Sequence, residues 1–328
     1  MKRYLYIIVA LLTLSVPACA KVDVKEIIFD HLQDSYEWHI AGDVALPLPC
    51  IVYDGEKGLD VFLSDKLEGG EVYNGYHIDE ESGKIVNEAG VRPVDLSITK
   101  NVMEIFIVCF IVCFVILYVA NWYKKNGYKK APGGFVAMME VLINFLDKDV
   151  VEASVGHEYK RFSPYLITVF LFILTCNLVG LVPIFPGGAN LTGNIAVALT
   201  LAVTAWVATN FFAPRSYFRE IFWPEVPMFL KAPVPLMPTI EFIGVFTKPF
   251  SLTVRLFANI MAGHIIILSL TSIIFITWEV GPAIGAPMTL VSVAFCIFMN
   301  CLELLVAFLQ AYVFTILTAN YIGLAHAH

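Results

Sequence analysis

The sequence predicts a mainly α-helical protein that crosses a membrane several times. Of its 328 residues, 58% are hydrophobic and only 15% are charged, and the mean hydropathy is +0.75. Soluble globular domains contain about 25% charged residues. Many of the apolar residues are grouped in runs of about 20 or more, the length that spans a hydrocarbon core about 30 Å thick. Composition and grouping together exclude a soluble globular protein.

Residues 1–20 are expected to be a secretory signal peptide. Two basic residues come first, an apolar stretch from Tyr4 to Val16 follows, and Ala18–Cys19–Ala20 has the small-residue form of a cleavage site. The sequence Val16–Pro17–Ala18–Cys19 also loosely resembles a lipoprotein cleavage box, which leaves lipidation as an alternative. In both cases the chain from residue 21 onward is expected to start on the periplasmic side.

Residues 21–100 are expected to form an acidic periplasmic extension. They contain 17 Asp and Glu but only 7 Lys and Arg. Between Asp43 and Leu63, short Val, Leu, Ile and Tyr runs alternate with prolines and with Asp54–Gly55–Glu56–Lys57–Gly58, a pattern typical of strands and turns. A small β-containing segment is therefore predicted. Cys50 is the only cysteine here, so no disulfide framework is predicted, and neither a metal site nor a cofactor is expected.

The first membrane helix is predicted near Val102 to Tyr123. It ends in an aromatic pair of the kind found at membrane interfaces, and four lysines follow within the next seven residues, as expected on the cytoplasmic side. From Gly134 to Val155, apolar residues recur at helical spacing against charged ones, which predicts an amphipathic helix on the cytoplasmic membrane surface. Residues 101–328 are together expected to form the membrane domain.

Two further membrane helices are predicted near Pro164 to Phe185 and near Asn194 to Phe212, joined by the short turn at 186–190. Basic residues occur in alternate loops after the first helix, with seven in 124–161 and three in 213–238. Because cytoplasmic loops are enriched in Lys and Arg, this alternation predicts about five crossings and a cytoplasmic C-terminus.

The last two apolar stretches, Thr239 to Trp278 and Ala286 to Ile322, are about 40 and about 37 residues long. As helices they would measure about 55 to 60 Å, nearly twice the thickness of the bilayer core. Each is either two crossings or one steeply tilted helix. No polar, glycine-rich turn interrupts them, although Pro249 is a possible kink. We therefore predict two long, strongly tilted helices joined through Gly281–Pro282–Ala283–Ile284–Gly285.

Arg255 is the most informative polar residue of these stretches. A guanidinium stays charged in proteins, and in mid-membrane it costs at least about 2.5 to 3.5 kcal/mol, so it indicates function unless it reaches the headgroups. Asn259 follows one turn later on nearly the same face, whereas His264 points about 180° away. Glu303 and Gln310, seven residues apart, share a face of the second stretch. A histidine and a carboxylate in hydrocarbon favour a proton relay over simple interhelical bonding, because both can exchange protons near neutral pH.

Three segments together resemble subunit a of the F-type ATP synthases. They are TKPFSLTVRLFANIMAGH from Thr247 to His264, LQAYVF from Leu309 to Phe314, and CNLVGLVP from Cys176 to Pro183. The resemblance extends from about Asp95 to the C-terminus and is most specific around Arg255. It says little about the acidic extension.

The resemblance implies that Arg255 faces a rotating ring of c subunits. There it would force each arriving ring carboxylate to ionise and keep protons from leaking between two offset half-channels. The residues that the resemblance assigns to the proton path are Glu241 on the cytoplasmic side and, on the periplasmic side or beside the arginine, His264, Glu303, Gln310, Asn259 and Asn177. Many bacterial members have the acid where this chain has His264 and the imidazole where it has Glu303. That exchange leaves the order of proton transfer open.

The residues and the resemblance predict the proton-translocating stator subunit of a rotary ATP synthase in the bacterial inner membrane. Expected partners are the c ring, the peripheral-stalk b subunits, the rest of the complex and the lipid bilayer, without nucleic acid. No G-x-x-x-x-G-K-[ST] motif occurs, so the chain is not expected to be an enzyme on its own. H⁺ is favoured over Na⁺ as the coupling ion because His264 exchanges protons. The alternatives are a secondary transporter that uses Arg255 as a substrate counter-ion and a membrane anchor without transport.

Overall fold

The computed structural model describes residues 34–41, 44–55, 57–70, 72–79, 82–88, 90–127, 130–182, 191–222 and 236–326. They divide into two units, one formed by His264–Met299 and the other by the remaining described residues. The structure is mainly helical, as predicted, and short strands precede the first long helix. The predicted signal peptide and the predicted turn at 186–190 lie outside the described residues.

The predicted β-containing segment is confirmed. Its described strands are β1 (Glu37–Ala41), β2 (Val44–Pro47), β3 (Pro49–Asp54), β4 (Gly58–Leu63), β5 (Tyr76–Ile78), β6 (Ile85–Asn87) and β7 (Val94–Asp95). All the described pairings are antiparallel: β1 with β2, β3 between β4 and β7, and β5 with β6. Cys50, Val52, Phe62 and Tyr76 form the centre of a small apolar core. The core packs one face of the strands, as alternation of side chains along a strand requires.

The first helix, α1 (Lys100–Asn126), is hydrogen-bonded directly to the residues before β1. The Lys100 backbone N–H donates to the Ser35 carbonyl over 3.0 Å, and the Asn101 N–H donates to Asp34 Oδ1 over 3.2 Å. Both bonds satisfy amides that have no partner inside the helix. The helix ends at Gly127, where φ is 65°, a value that glycine adopts without strain. It is a few residues longer at each end than predicted.

The predicted amphipathic segment is helical. It comprises α2 (Phe135–Asn144), π-helical turns over Phe145–Glu152 and a final α-helical turn at Ala153–Val155, and it ends at Gly156 with a φ of 77°. The helix is confirmed, whereas its position on the membrane surface stays a prediction. The π-helical turns were not predicted.

Three shorter helices follow: α3 (Tyr159–Gly180), α4 (Ile195–Phe211) and α5 (Arg215–Phe222). Asn194 caps α4, because its side-chain oxygen accepts from the Ala196 N–H over 2.9 Å. The prediction that a helix starts near Pro164 is wrong by five residues. The helix already runs from Tyr159, and Pro164 lies inside it, where proline removes one helical hydrogen bond without ending the helix.

The last two helices, α6 (Leu236–Val280) and α7 (Pro282–His326), have 45 residues each, or about 68 Å. Only Gly281, with a φ of 147°, separates them. The predicted five-residue turn is therefore wrong. Pro282 can begin the helix directly, because its fixed φ suits a first helical position and its missing N–H would be unbonded there. Trp278 Nε1 donates to Thr289 Oγ1 over 2.9 Å across this junction.

Four helical runs are long and apolar enough to cross a membrane: Lys100–Asn126, Phe135–Gly180, Met237–Val280 and Pro282–His326. Helix α4 is also apolar but shorter. The chain is a multi-pass membrane protein. Buried residues of α3, such as Phe170 and Ile173, lie in the core cluster shared with α4, α6 and α7. The outward side chains of α1, such as Phe110 and Phe114, are 72% and 61% exposed, as expected for a surface that contacts lipid.

Near its C-terminal end α7 lies directly against the end of the amphipathic segment. A Cβ atom added to Gly323 would overlap the backbone carbonyl of Ser154. Glycine is therefore required at this position by the close approach of two backbones.

Candidate functional site

Arg255 lies on a side of α6 that the described part of the chain does not cover. Leu252, Leu256 and Ile260 are buried, at 2%, 1% and 5% exposure, and attach the helix to the core. The exposed residues on the Arg255 side form what we call the α6 strip, which consists of Ser251, Arg255, Ala258, Asn259 and Ala262. No carboxylate among the described residues lies within ion-pair distance of Arg255.

The α6 strip is suited to contact with another helix. Apart from Arg255 and Asn259, its members are Ser251, Ala258 and Ala262, and small residues at such spacing allow two helix backbones to approach closely. A charged guanidinium in this setting needs an anionic or polar neighbour. Within the described residues the chain supplies no such anion, so the strip fits a partner that carries one.

Helix α7 presents the opposite arrangement. Glu303, Ala307 and Gln310, which we call the α7 strip, are 4%, 1% and 6% exposed and lie along one face of the helix. Asn177 of α3 reaches this strip. Its Nδ2 donates to the Ala307 carbonyl over 3.0 Å, while its Oδ1 accepts from Thr192 Oγ1 over 2.8 Å. The amide therefore joins α3, α7 and the turn before α4 through groups that are all buried.

The carboxylate of Glu303 also lies against the backbone of α6. A Cβ atom added to Gly263 would be 2.8 Å from Glu303 Oε1 and 3.1 Å from its carboxyl carbon. These distances are shorter than ordinary van der Waals contacts, so a larger residue at 263 would displace the carboxylate. Gly263 thus provides the space in which Glu303 sits.

A second polar group of residues surrounds Lys248, earlier in α6. Lys248 Nζ lies 5.3 Å from the centre of the Tyr321 ring, a cation–π distance. Glu241, seven residues before Lys248, interacts electrostatically with it and with Tyr217 of α5. Lys248, Tyr217, Tyr321 and Asn210 line a small cavity. Glu241 itself is exposed near the start of the helix.

His264 belongs to the unit formed by His264–Met299 and is partly buried there. Its predicted pairing with Glu303 stays a prediction.

Comparison with known proteins decides the family. A family model described as "ATP synthase A chain" matches residues 102–323. The chain is 44% identical over 266 residues to the ATP synthase subunit a of Chloroherpeton thalassium, covering 78% of this chain and 75% of that one. It is 42% identical over 278 residues to the subunit a of Chlorobium phaeobacteroides strain DSM 266, covering 83% and 77%. Subunit a of Myxococcus xanthus is 37% identical over 241 residues, with 71% and 74% covered.

The chain belongs to the ATP synthase subunit a family. The resemblance found in the sequence is thereby confirmed. A second family model, described as "Domain of unknown function (DUF8433)", matches residues 27–104. Most of the β-containing segment therefore lies in a region matched by a family model whose description names no function.

The structure brings some of the predicted subunit a residues together and separates others. Asn177 and Gln310 lie with Glu303 at the α7 strip, Arg255 and Asn259 lie on the α6 strip, and Glu241 lies near Lys248. Glu104 was not among the predicted site residues. It is the only charged residue in the predicted first span, a signal that was available, and it is fully buried.

Proposed function

We propose that this chain is the proton-translocating stator subunit of a rotary F-type ATP synthase. The observation that carries the proposal is Arg255, a permanent cation that the described chain leaves uncovered among small residues and without an ion-pair partner. A ring of c subunits with membrane carboxylates would supply both the close-packing helix and the missing anion. Membership of the subunit a family supports the same partner.

Arg255 would act as the barrier between two proton paths. Its guanidinium cannot lose its proton in a protein, so a protonated ring carboxylate that arrives beside it gains by ionising and pairing with it. The released proton leaves by one path, and the carboxylate is reprotonated from the other. Rotation of the ring is then the only route that joins the two paths.

The positions along α6 support two separate paths. Glu241, at the Lys248 group, lies 14 residues before Arg255, or about 21 Å along the helix. Gly263, against which Glu303 lies, is eight residues after Arg255, or about 12 Å in the other direction. We assign Glu241 to the cytoplasmic path, and Glu303, Gln310 and Asn177 to the periplasmic one. Asn259 braces the arginine, and His264 is included through the resemblance.

The proposed membrane arrangement has five crossings. The four long helical runs supply four of them and the shorter α4 supplies the fifth. At about 68 Å each, α6 and α7 fit a core about 30 Å thick only if they tilt steeply. Residues 21–100 would form a periplasmic extension after a signal peptide at 1–20, residues 101–328 the membrane domain, and the C-terminus would be cytoplasmic. The basic residues of the loops support this orientation in the bacterial inner membrane.

The nucleotide chemistry would belong to other subunits of the complex. The chain would contribute access control, and the driving force would come from the proton gradient and the membrane potential, worth about 2.3 kcal/mol per charge per 100 mV. Besides the c ring, the proposed partners are the peripheral-stalk b subunits, which would hold this chain still while the ring turns.

Reconstitution tests the proposal and separates it from a secondary transporter. We expect proteoliposomes that contain this chain alone to pass neither solutes nor protons, and those that also contain a c ring to conduct protons. In a cysteine-free background, Ala258→Cys on the α6 strip should cross-link to the ring protein, whereas Phe110→Cys on the exposed side of α1 should not. Proton or solute flux through the chain alone would overturn the proposal.

A further inference from the structure

Glu104 is a buried carboxylate for which the proposed mechanism has no role so far. It lies in the second turn of α1 and is fully buried, at 0% exposure. In the described part of the chain no hydrogen bond of ordinary geometry reaches either of its carboxylate oxygens. Its polar neighbours are Lys100, one turn earlier on α1, the backbone of Leu191, and the Cys176 thiol of α3. An acidic group in a membrane helix is costly and indicates function.

A series of buried polar groups starts one residue after Leu191, the backbone neighbour of Glu104, and leads to the α7 strip. Leu191, beside the carboxylate, is followed by Thr192, whose hydroxyl donates to Asn177. Asn177 in turn donates to the Ala307 carbonyl between Glu303 and Gln310. The Thr192 side chain is 1% exposed and that of Asn177 is 3% exposed. Buried hydrogen bonds therefore link the turn before α4, α3 and α7, and Glu104 of α1 lies against the backbone of the residue that precedes Thr192.

In the other direction Glu104 is linked to the start of the β-containing segment. Lys100 is only 9% exposed, and Asp34 attracts it electrostatically. Asp34 is partly exposed and also accepts a hydrogen bond from the Asn101 backbone N–H. Asp34 thus gives the buried Lys100 a partly exposed acidic neighbour, at the end of α1 that the proposed topology places on the periplasmic side.

We propose that Glu104 binds and releases the transported proton between the periplasmic surface and the α7 strip. The proton forms an O–H bond with one carboxylate oxygen and leaves from it toward Thr192, whose hydroxyl can both accept and donate. The carboxylate returns to its ionised form with each proton that passes, so no other reactant is needed. This inference rests on the proposed function, because it extends the periplasmic path by one group.

A structural role for Glu104 predicts different results. If the carboxylate only balances the charge of Lys100, removing both charges together should restore transport. If it only fills space, a change in a neighbouring buried side chain should do equal damage. Cys176→Ala provides that control, because Cys176 is 1% exposed, is close enough to Glu104 to interact with it electrostatically and is not placed in the proton path.

The experiment measures passive proton conductance and ATP-driven pumping in vesicles that contain the complete complex. Glu104→Gln should lower both several-fold without loss of assembly, Glu104→Asp should retain part of the activity, and Cys176→Ala should stay near the wild type. The double variant Lys100→Gln with Glu104→Gln should remain as impaired as Glu104→Gln alone. The deficit of Glu104→Gln should grow as the periplasmic pH is raised and protons become scarce.

Normal conductance in Glu104→Gln would overturn the inference, and so would full recovery in the double variant with Lys100→Gln. A pH-independent loss that Cys176→Ala reproduces would do the same. The titratable groups facing Glu104 that bear on this pH test are Lys100 and Cys176, with Asp34 beyond Lys100.

Arg255→Ala in the same vesicles is the reference. If it stops coupled pumping while Glu104→Gln does not, only the role of Glu104 fails; if it leaves coupling intact, the proposed function fails.

Discussion

The α6 strip and the α7 strip differ in the burial of their polar side chains. On α7, Glu303 and Gln310 are almost completely buried, and Asn177 bonds to the backbone between them. On α6, Arg255 and Asn259 are exposed, and no carboxylate of the described residues pairs with the arginine. Among the described residues, the chain encloses one set of polar groups and leaves the other uncovered.

The difference indicates where the partner of each strip is found. A polar group in hydrocarbon needs a compensating neighbour. The α7 strip has neighbours within the chain, so changes there should act on movement of protons through it. The α6 strip lacks an anion within the described chain, so changes there should act on coupling to the ring. Substitutions in and near the two strips test this contrast.

Arg255→Ala should abolish coupled ATP synthesis, because a ring carboxylate would meet no fixed cation and could pass the barrier while still protonated. Arg255→Lys should fail or be severely impaired as well, because a compact ammonium lacks the planar arrangement of guanidinium donors. ATP-driven proton pumping in vesicles measures both variants, with Val254→Ala, an exposed neighbour, as the control. Near-normal pumping by Arg255→Lys would show that charge alone suffices.

The exchange variant His264→Glu with Glu303→His should recover more proton flux than either single substitution. Each single change puts two carboxylates or two imidazoles into the path. Two interacting groups of one kind release their protons in separate steps, so one member of the pair is held in the wrong protonation state for transfer. The exchange keeps one acid and one imidazole. Passive proton conductance of the membrane sector is the measurement. If the exchange variant is no better than the worse single one, His264 and Glu303 do not work as a pair.

Gly263→Ala should lower proton conductance several-fold while the complex still assembles. The new methyl group would be 2.8 Å from Glu303 Oε1, so the carboxylate must move from its buried position. Gly244→Ala is the matched control on the same helix, because a Cβ atom there meets nothing within 4 Å. Equal conductance in the two variants would contradict the assignment of Glu303 to the path.

Gly323→Ala should mainly reduce stability. Its Cβ atom would meet the Ser154 backbone carbonyl, and overpacking of this kind typically costs about 1 to 3 kcal/mol. Thermal unfolding of the purified complex should begin at a lower temperature than in Gly244→Ala, while the coupling ratio of the surviving complexes stays unchanged. A loss of coupling without a loss of stability would place Gly323 in the mechanism instead.

Composition and loop charges were sufficient to predict most helices. The bounds of α1 and α4 were predicted within about three residues, because apolar runs end at aromatic, basic or amide residues that mark helix ends in any sequence. The π-helical turns at Phe145–Glu152 had no such signal. The junction at Gly281 was predicted as too long a turn, because Gly281–Pro282 is compatible both with a loop and with an immediate helix start.

The candidate site was predictable in residue type but not in burial. A permanent charge within a long apolar stretch identified Arg255, and helical periodicity put Glu303 and Gln310 on one face. Periodicity does not say whether a face meets its own chain or another molecule, so the contrast between the two strips needed tertiary structure. Glu104 was not predicted, and its spacing of one turn from Lys100, that of an ordinary helical ion pair, does not by itself distinguish a buried acid from an exposed one.

The hydrogen bond from Asn177 to Ala307 joins residues that are 130 positions apart. Membrane proteins are synthesised from the N-terminus, and contacts distant in sequence form late. Asn177 of α3 therefore enters the membrane before its acceptor on α7 exists. A truncated chain that stops before α7 also lacks Glu303 and Gln310. Under the proposed function, such a truncated chain has no complete proton path. Interrupted synthesis therefore does not collapse the proton gradient of the cell.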